Sequence, residues 1–485
     1  MTVVEQRKTG GSLARQIARN QRILLTSVIL LAFVPRIYAT FRRVPNLTPD
    51  SFSYLNLARI LRGEQVPHLD MDQDAWAPRD DQGFRTPVYP FFLNIIFFLS
   101  PKKGTEETIL QRIQQHKGFK IDTWHLKFLR EKENLKSVQI VQHGLGLLST
   151  ILLFRLLLSL TSNLFIAFAG ALLVIGWNPT WFWGYELSVW TETLTVTLLL
   201  TLLWELYKLE QFQEIRLRSL WWLSLLGGLL ALTRPQFVLA AGLPFGWWLY
   251  KVIRKTTVFK WRNVVALLLP PLILLGGWVV RNGVRYGFWG ISTVTGFNLS
   301  MHFTAMNKID AFEDITLKQA LNEHLSKCSK CVNSRFVIIH AAPDLVTKWK
   351  LSFPAVSKRL EREAFKAIIN HADIFIKSIV KATITFLKPL PFPAGFKPIF
   401  IVWFPLGLLL KIAGVALILL MSRKFSPFIQ TLAAFSVATI LLTVIVAGGA
   451  EPDRYSFAME PLLALLTIVA AQSLYLGFLE GRKKK

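Results

Sequence analysis

The sequence is poor in cysteine and in acidic residues. Its 485 residues include two cysteines, Cys328 and Cys331, and 30 acidic residues stand against 56 basic ones. A single pair of cysteines three positions apart excludes a disulfide framework and predicts a local pair, either free or disulfide-linked. A zinc site would need two further ligands, for which His324 and His340 are the nearby candidates.

Several motifs of well-known enzymes and pumps are also missing. The sequence contains no G-x-x-x-x-G-K-[ST] loop, which excludes an ATP-driven pump of the P-loop kind. No G-x-S-x-G nucleophile elbow and no H-E-x-x-H zinc helix occur. The chain also lacks an obvious pair of interrupted helices in two repeated halves, which many secondary transporters have.

Long apolar runs dominate what is present. The hydrophobic fraction is 52%, and the mean hydropathy is positive at +0.40. Several runs reach roughly 18 or more residues, enough for a helix to cross the ~30 Å hydrocarbon layer. They predict an all-α polytopic membrane protein with about ten transmembrane helices plus outer interfacial helices. The predicted spans are 22–41, 138–159, 163–181, 190–207, 220–234, 235–251, 263–281, 398–421, 426–447 and 455–477. In such a protein the net charge of +26 is expected from cytoplasmic Lys and Arg, so we expect no nucleic-acid partner.

The apolar run 86–100 decides the predicted topology. It is short for a span, so it either crosses or lies half-buried in the outer interface as a helix. If it does not cross, both termini and the basic connection KVIRKTTVFKWRN are cytoplasmic, as the positive-inside rule favours. We therefore predict that 86–100 is an interfacial helix that does not cross. This topology places loop 101–137 outside, against the same rule, since the loop has nine basic and five acidic residues. The predicted organisation is a catalytic transmembrane module 1–281 with outer loop 42–137, an extracytoplasmic region 282–397 with interfacial helices, and C-terminal transmembrane helices in 398–485.

The stretch TPDSFSYLNLARILRG, residues 48–63, places Asp50 just beyond the first predicted span. Thr48 suits a helix N-cap, and Gly63 suits the end of that helix. Apolar residues at i, i+3, i+4 and i+7 from Tyr54 predict an amphipathic helix on the membrane surface. In its first turn Asp50 could simply complement the helix dipole, and it could equally be a catalytic base.

Other ionisable and polar residues fall at predicted outer borders of the membrane, where charges are costly. They are Arg85 with Tyr89 in RTPVYP, Glu192 in VWTETL, Arg234 in ALTRPQF, Arg281 with Asn282 in VVRNG, and Asp453 with Arg454 in EPDRY. Each arginine could snorkel to a lipid headgroup, and each acid could complement a helix dipole or form a surface ion pair. If they meet on one face they form a polar site, in which the planar guanidinium fork suits a phosphate.

The order of these motifs resembles the GT-C superfamily, the polytopic glycosyltransferases that use polyprenyl-phosphate sugars. The motifs run PDSFSYLNLARIL, RTPVYPFFL, VQIVQHGLGLLSTILLFRLL, NPTWFWGYELSVWTETL, GGLLALTRPQF, RNGVRYG and EPDRYSFAMEP. The similarity is to bacterial members related to protein O-mannosyltransferases and aminoarabinose transferases. It covers residues 20–300 more closely than residues 398–480.

The resemblance implies a mechanism. Asp50 would be the general base that takes the proton from an acceptor hydroxyl while the sugar leaves polyprenyl phosphate with inversion. Glu192 would be a second carboxylate, for orientation or for a divalent metal. The phosphate leaving group would be stabilised by arginines, with the other polar border residues as further substrate-binding candidates. The substrate-binding set is Arg85, Tyr89, Arg234, Arg281, Asn282, Asp453 and Arg454.

The resemblance also implies partners and a location. The partners would be a polyprenyl-phosphate-linked sugar donor, membrane lipids, and a glycan, lipid or protein acceptor. The active site would face the extracytoplasmic side of the cytoplasmic membrane, where nucleotide sugars are not available. Two features depart from the family pattern: Ser51 stands where many relatives carry a second acid, and loop 101–137 is long and basic.

Two other functions would share the same apolar body. A transporter or flippase of lipid-linked sugars would not need Asp50, and a non-catalytic membrane scaffold would tolerate the loss of every acid named above.

Overall fold

The structure is a computed structural model, and it describes residues 3–43, 45–64, 82–100, 134–212, 215–327, 334–387, 411–420, 425–450 and 452–483. Cys328, Cys331 and residues 101–133 of the loop 101–137 lie outside these ranges. Within them the regular structure is helical, apart from one isolated bridge between Asn46 and Ser188.

The helices are numbered in chain order. Helices α1 to α5 are Val3–Arg42, Pro49–Leu61, Val88–Leu99, Leu135–Thr161 and Leu164–Ala171. Helices α6 to α10 are Glu192–Gln211, Leu217–Thr233, Leu243–Ile253, Trp261–Tyr286 and Val294–Thr304. Helices α11 to α15 are Ile315–Lys327, Val337–His340, Ala342–Trp349, Phe353–Asn370 and Ala372–Leu387. Helices α16 to α19 are Lys411–Leu420, Pro427–Ala447, Pro452–Phe457 and Glu460–Lys483. Segments Leu172–Gly176 and Thr180–Tyr185 are π-helical, and Pro235–Ala241, Ile309–Ala311 and Ser334–Phe336 are 3₁₀-helical.

Six helical stretches of the described chain are long and apolar enough to cross a membrane. They are Arg19–Arg42, Leu135–Thr161, Leu164–Tyr185, Trp261–Tyr286, Pro427–Ala447 and Glu460–Leu479. Shorter apolar helices are α3, α7 and α16. The prediction of an all-α polytopic membrane protein is therefore confirmed.

The predicted span 235–251 is broken in the structure. A 3₁₀ turn, Pro235–Ala241, is followed by Gly242 and then by helix α8. Pro235 begins the turn, and Pro244 lies in the first turn of α8, where its missing N–H costs nothing. The break turns the chain back after Arg234, which places that residue at the end of α7 rather than inside a continuous helix.

Helix α3 is short, as the run 86–100 suggested. Its twelve residues rise about 18 Å, well below the thickness of the hydrocarbon layer. Tyr89, Leu93 and Ile96 are buried, whereas Ile95 and Phe98 are exposed. This is the pattern of a half-buried helix with one apolar face left for lipid.

The prediction of a surface amphipathic helix after Asp50 is wrong. Helix α2 begins after Thr48 and ends before Gly63, which has a φ of +74°, as expected. However, its residues 51–59 are all buried, including the face predicted to be polar. The reason is that the helix meets protein on this side: Asn94 Nδ2 of helix α3 donates to the Ala58 carbonyl oxygen at 2.9 Å, and Ser53 Oγ accepts from Arg85 Nε at 2.7 Å.

A buried ion cluster ties the first span to the main core. Arg36 of α1 donates to both carboxylate oxygens of Glu186, at 2.9 and 2.6 Å. His143 of α4 lies 2.7 Å from the same carboxylate, and a third guanidinium nitrogen donates to the carbonyl oxygen of Gly176 at 3.0 Å. Since Arg36 and Glu186 are fully buried, losing one partner would leave an uncompensated charge. Gly146 of helix α4 has no side chain, and the Glu186 carboxylate occupies the space that a Cβ at this position would fill.

We expect Gly146→Ala to destabilise the protein by about 1–3 kcal/mol, because the added Cβ would overlap the Glu186 carboxylate. The measurement is the thermal unfolding temperature of the purified protein in detergent. Gly144→Ala is the matched control, since no atom lies within 4 Å of a Cβ at that position of the same helix. Equal unfolding temperatures for the two variants would contradict a role for this packing.

Candidate functional site

The N-terminal ends of helices α2 and α6 are held side by side by the isolated bridge. The Asn46 amide donates to the Leu187 carbonyl oxygen at 2.8 Å, and the Val189 amide donates to the Asn46 carbonyl oxygen at 3.2 Å. Helix α2 begins shortly after Asn46, on one side of this bridge. Helix α6 begins shortly after Ser188, on the other side. Asp50 and Glu192, the acids of the two first turns, are thereby brought to the same place.

Asp50 is held by two arginines. Arg85 pairs with one of its carboxylate oxygens, and Arg454 pairs with the other. Arg85 Nε also donates to Ser53 Oγ at 2.7 Å, which fixes the guanidinium along helix α2. Burial alone would raise the pKa of Asp50, but Arg85 and Arg454 outweigh it and hold that pKa well below its usual range. Asp50 is therefore ionised at neutral pH.

Glu192 is fully buried and shares one of the same arginines. Arg454 Nε donates to Glu192 Oε1 at 2.8 Å, so this guanidinium bridges the two carboxylates. Arg234 Nη1 lies 3.1 Å from the same oxygen. That contact meets the distance of an ion pair but not the geometry of a hydrogen bond. Nη1 is therefore without a hydrogen-bond acceptor among the described residues, although the Arg234 side chain is only 8% exposed. We call Asp50, Arg85, Glu192, Arg234 and Arg454 the charge cluster.

Aromatic rings support each guanidinium of the charge cluster. Arg454 lies 4.2 Å from the ring centre of Trp190, Arg234 lies 5.2 Å from that of Tyr455, and Arg85 lies 4.7 Å from that of Tyr54. Such cation–π contacts hold arginines in place without neutralising them. Sequence reasoning missed Trp190, Tyr455 and Ser53 as members of the site. Trp190 lies in the motif VWTETL, two positions before Glu192, and that proximity is the signal that could have identified it.

Most of the charge cluster lines a cavity of about 480 Å³. Asp50, Arg85, Arg234 and Arg454 line it, whereas Glu192 does not. Apolar side chains of helix α17 line the same cavity, among them Leu442, Val446 and Ala447. A cavity lined by both guanidinium groups and apolar side chains suits a ligand that carries both an anionic group and an apolar chain.

Tyr89 and Arg281 are not brought to the cavity. Tyr89 is buried behind α2, and its hydroxyl donates to Gln142 Oε1 at 3.1 Å. The Arg281 guanidinium lies over the ring of Trp278, at 4.3 Å from its centre, and neither residue lines the cavity. The Arg281 side chain packs on its own helix, and its contact with a phosphate stays a prediction.

Asn282 supports the cavity wall without facing it. Its amide nitrogen donates to the carbonyl oxygen of Gly290 at 2.9 Å and so holds the 288–292 segment, which lines the cavity. Asp453 lies in helix α18 beside Arg454, and its side chain is outside the described part of the structure.

A divalent metal at this site stays a prediction. Arginines pair with both carboxylate oxygens of Asp50 and with Oε1 of Glu192, and Glu192 Oε2 accepts from Thr191 Oγ1 at 3.4 Å. Among the described residues, no group of three His, Cys, Asp or Glu side chains could hold a metal ion.

Solved structures match the chain, whereas no family model and no curated protein sequence does. Among solved structures the chain is similar to ArnT from Cupriavidus metallidurans bound to undecaprenyl phosphate, with 11% identity and a TM-score of 0.34. It is similar to the apo state of that protein with 10% identity and the same TM-score, and both alignments cover 94% of this chain and 78% of the other. A TM-score of this size transfers no residue roles, which rest on the geometry of the charge cluster.

Proposed function

We propose that this chain is a membrane glycosyltransferase that moves a sugar from a polyprenyl-phosphate donor to an acceptor hydroxyl. The observation that carries the proposal is the charge cluster in the lining of a cavity that also has apolar side chains. The arginines suit a lipid phosphate, and a carboxylate held among them suits proton abstraction. A flippase would need the first feature but not the second.

Three guanidinium groups are available for the phosphate. Arg234 has a buried N–H group without an acceptor, so a phosphate oxygen arriving there would gain a hydrogen bond that the protein alone does not make. Arg85 and Arg454 also line the cavity. As the sugar leaves, negative charge develops on the phosphate oxygen, and positioned guanidinium groups stabilise that charge in the transition state.

Asp50 acts as the general base in this proposal. In the free enzyme its two ion pairs make it a weak base, because a low pKa reduces the driving force for accepting a proton. A bound phosphate competes for the same arginines and weakens their hold on Asp50. The pKa of Asp50 then rises, so that donor binding prepares the base that activates the acceptor hydroxyl. Attack on the sugar from the side opposite the phosphate inverts the anomeric carbon.

Glu192 positions the arginines rather than contacting the substrate. It is fully buried behind the cavity and fixes Arg454 and Arg234 through a single oxygen atom. We propose that the cavity opens toward the extracytoplasmic side, where a lipid-linked donor supplies the sugar. The acceptor belongs to the class of glycans, lipids or proteins with a free hydroxyl.

Asp50→Asn should lower sugar transfer from a polyprenyl-phosphate donor by at least ~10²-fold, because the amide cannot take a proton. Binding of undecaprenyl phosphate should be retained or become tighter, since Arg85 and Arg454 each lose their ion pair with Asp50 while Arg454 keeps its pair with Glu192. Transfer is measured with purified protein and radiolabelled donor, and lipid binding is measured separately. Asp373→Asn, at an exposed aspartate paired with Lys377, is the matched control. Near-wild-type transfer by Asp50→Asn would refute the base assignment and leave a flippase as the better function.

Arg85→Gln should shift the acidic limb of the transfer-rate profile to higher pH. A lowered pKa keeps the Asp50 carboxylate ionised down to acidic pH, and the base is lost only as the pH falls through that pKa. Removing Arg85 removes one of the two interactions that oppose burial, so protonation occurs at higher pH. Transfer rates measured from pH 3 to 8 test this, with Arg281→Gln as the control outside the cavity. An unchanged acidic limb in Arg85→Gln would contradict the coupling.

A further inference from the structure

The connection between helices α8 and α9, residues 253–262, exposes basic and apolar side chains together. All of its basic residues are exposed, and they are Arg254, Lys255, Lys260 and Arg262. Its large apolar side chains are between 53% and 71% exposed, and they are Ile253, Val258, Phe259 and Trp261. This mixture is typical of a segment at the border of a membrane, where apolar groups meet hydrocarbon and charges meet headgroups.

Contacts with the helix bundle fix the backbone of this connection. The amide and the hydroxyl of Thr256 both donate to the Lys251 carbonyl oxygen, at 2.9 and 3.1 Å. The Phe259 ring lies 5.5 Å from that of Trp248, which is fully buried. The exposed side chains are therefore presented by an ordered turn.

The protein does not neutralise the charges of the connection. Residues 251–263 include no acidic residue. Glu210 of helix α6 reaches the end of α8, but it is already paired, since its Oε2 lies 3.4 Å from Lys251 Nζ and accepts from Trp247 Nε1 at 2.9 Å. Among the described residues, no acid forms an ion pair with the four exposed basic side chains. Their positive charge is left for an anion from outside the chain.

Helices α7 and α9 begin at the same end of the bundle. Gly228 of α7 faces Pro271 of α9, and about three turns separate each residue from the start of its helix. Further along, Leu232 and Trp278 share one small hydrophobic cluster. The two helices therefore run side by side in the same direction.

The start of α7 adds two basic residues to that end. Arg216 and Arg218 are exposed, and neither forms an ion pair with a described residue. We call the six exposed residues at this end the basic collar: Arg216, Arg218, Arg254, Lys255, Lys260 and Arg262. Two separate connections of the chain thus supply one concentration of positive charge.

The basic collar and the cavity lie at opposite ends of these helices. Helix α7 ends directly before Arg234, which lines the cavity. Near the end of α9, Asn282 holds the cavity-lining segment 288–292. With 26 residues α9 rises about 39 Å, enough to cross the ~30 Å hydrocarbon layer. The basic collar is therefore at one border of the membrane and the cavity is at the other.

We propose that the basic collar binds the headgroups of anionic phospholipids in the leaflet opposite the cavity. Clustered lysines and arginines beside a membrane span are attracted to anionic lipids, and the apolar side chains of 253–262 enter the acyl border of the same leaflet. An acidic protein would match the charge, but it would not cover apolar side chains that flank the start of a span. The interaction is separate from the charge cluster and does not rest on the transferase function.

Electron paramagnetic resonance of spin-labelled lipids tests the proposal on the full-length protein in phosphatidylcholine bilayers. We expect the wild type to associate with spin-labelled phosphatidylglycerol at least ~twofold more strongly than with spin-labelled phosphatidylcholine, and this preference to fall as NaCl is raised. The collar variant should lose most of the preference, and it carries Arg254→Gln, Lys255→Gln, Lys260→Gln and Arg262→Gln. The matched control loses the same charge at exposed positions of 294–387 and should keep the preference, and it carries Lys308→Gln, Lys350→Gln, Arg362→Gln and Lys381→Gln.

Equal association of the two lipids with the wild type, or an equal loss of preference in both variants, would overturn the proposal. Undecaprenyl phosphate should bind the collar variant as it binds the wild type, because the cavity is untouched, and this shows that the variant is folded. The double variant Lys260→Gln/Arg262→Gln should have an intermediate preference. An unchanged preference in the double variant would contradict the proposal even if the fourfold variant were unstable.

Thiol labelling tests the placement of the basic collar. In a background with Cys328→Ser and Cys331→Ser, one variant carries Thr256→Cys, in the connection, and another carries Asn322→Cys, on helix α11. Both positions are exposed, and α11 packs in one hydrophobic cluster with Met301, which lines the cavity. An impermeant thiol reagent should reach one position in cells with an intact membrane and the other only after permeabilisation.

Labelling of both positions before permeabilisation, or of both only after it, would overturn the placement in opposite leaflets. The order of labelling bears on the proposed function separately. Reaction of Asn322→Cys first agrees with an extracytoplasmic cavity. The reverse order would refute that orientation of the transferase and leave the lipid-binding collar standing.

Discussion

The Arg454 guanidinium, shared between the carboxylates of Asp50 and Glu192, is the interaction on which the rest of the site depends. It joins the first turns of two helices to a short helix near the other end of the chain. Burying two carboxylates near a membrane is costly unless each is paired. Arg454 with its two arginine neighbours meets that requirement, and it leaves an excess of positive charge at the cavity. That excess is what a phosphate needs.

The loop that leads to Glu192 is also held on the side that faces the helix bundle, away from the cavity. Glu186, six residues earlier, turns inward to Arg36 and His143, and Gln142 donates to the backbone oxygens of Glu186 and Ser188 at 3.0 and 2.8 Å. The loop is thus fixed by one polar network inside the helix bundle and by another at the cavity. A site fixed in this way can keep an unpaired N–H at Arg234 ready for a ligand, since the surrounding packing prevents the side chain from relaxing.

The cavity combines two kinds of chemistry along one path. Guanidinium groups that are supported by aromatic rings line it, and the rings do not compete for charge. Apolar side chains of helix α17 line the same cavity. Under the proposed function, the first kind of group would meet the phosphate of the donor and the second its lipid chain.

The sequence by itself determined the all-α membrane architecture, the start and end of helix α2, and the polar positions at helix ends from which Asp50, Glu192, Arg85, Arg234 and Arg454 were chosen. These are local properties, because apolar run length and capping residues act over a few turns. Only the tertiary structure decided which of these groups meet. Asp50 and Arg454 are 404 positions apart, and Glu186 and Glu192 share one turn yet point to different networks. Helix α2 was misread for the same reason: burial of its polar face depends on partners from distant segments, which no local pattern records.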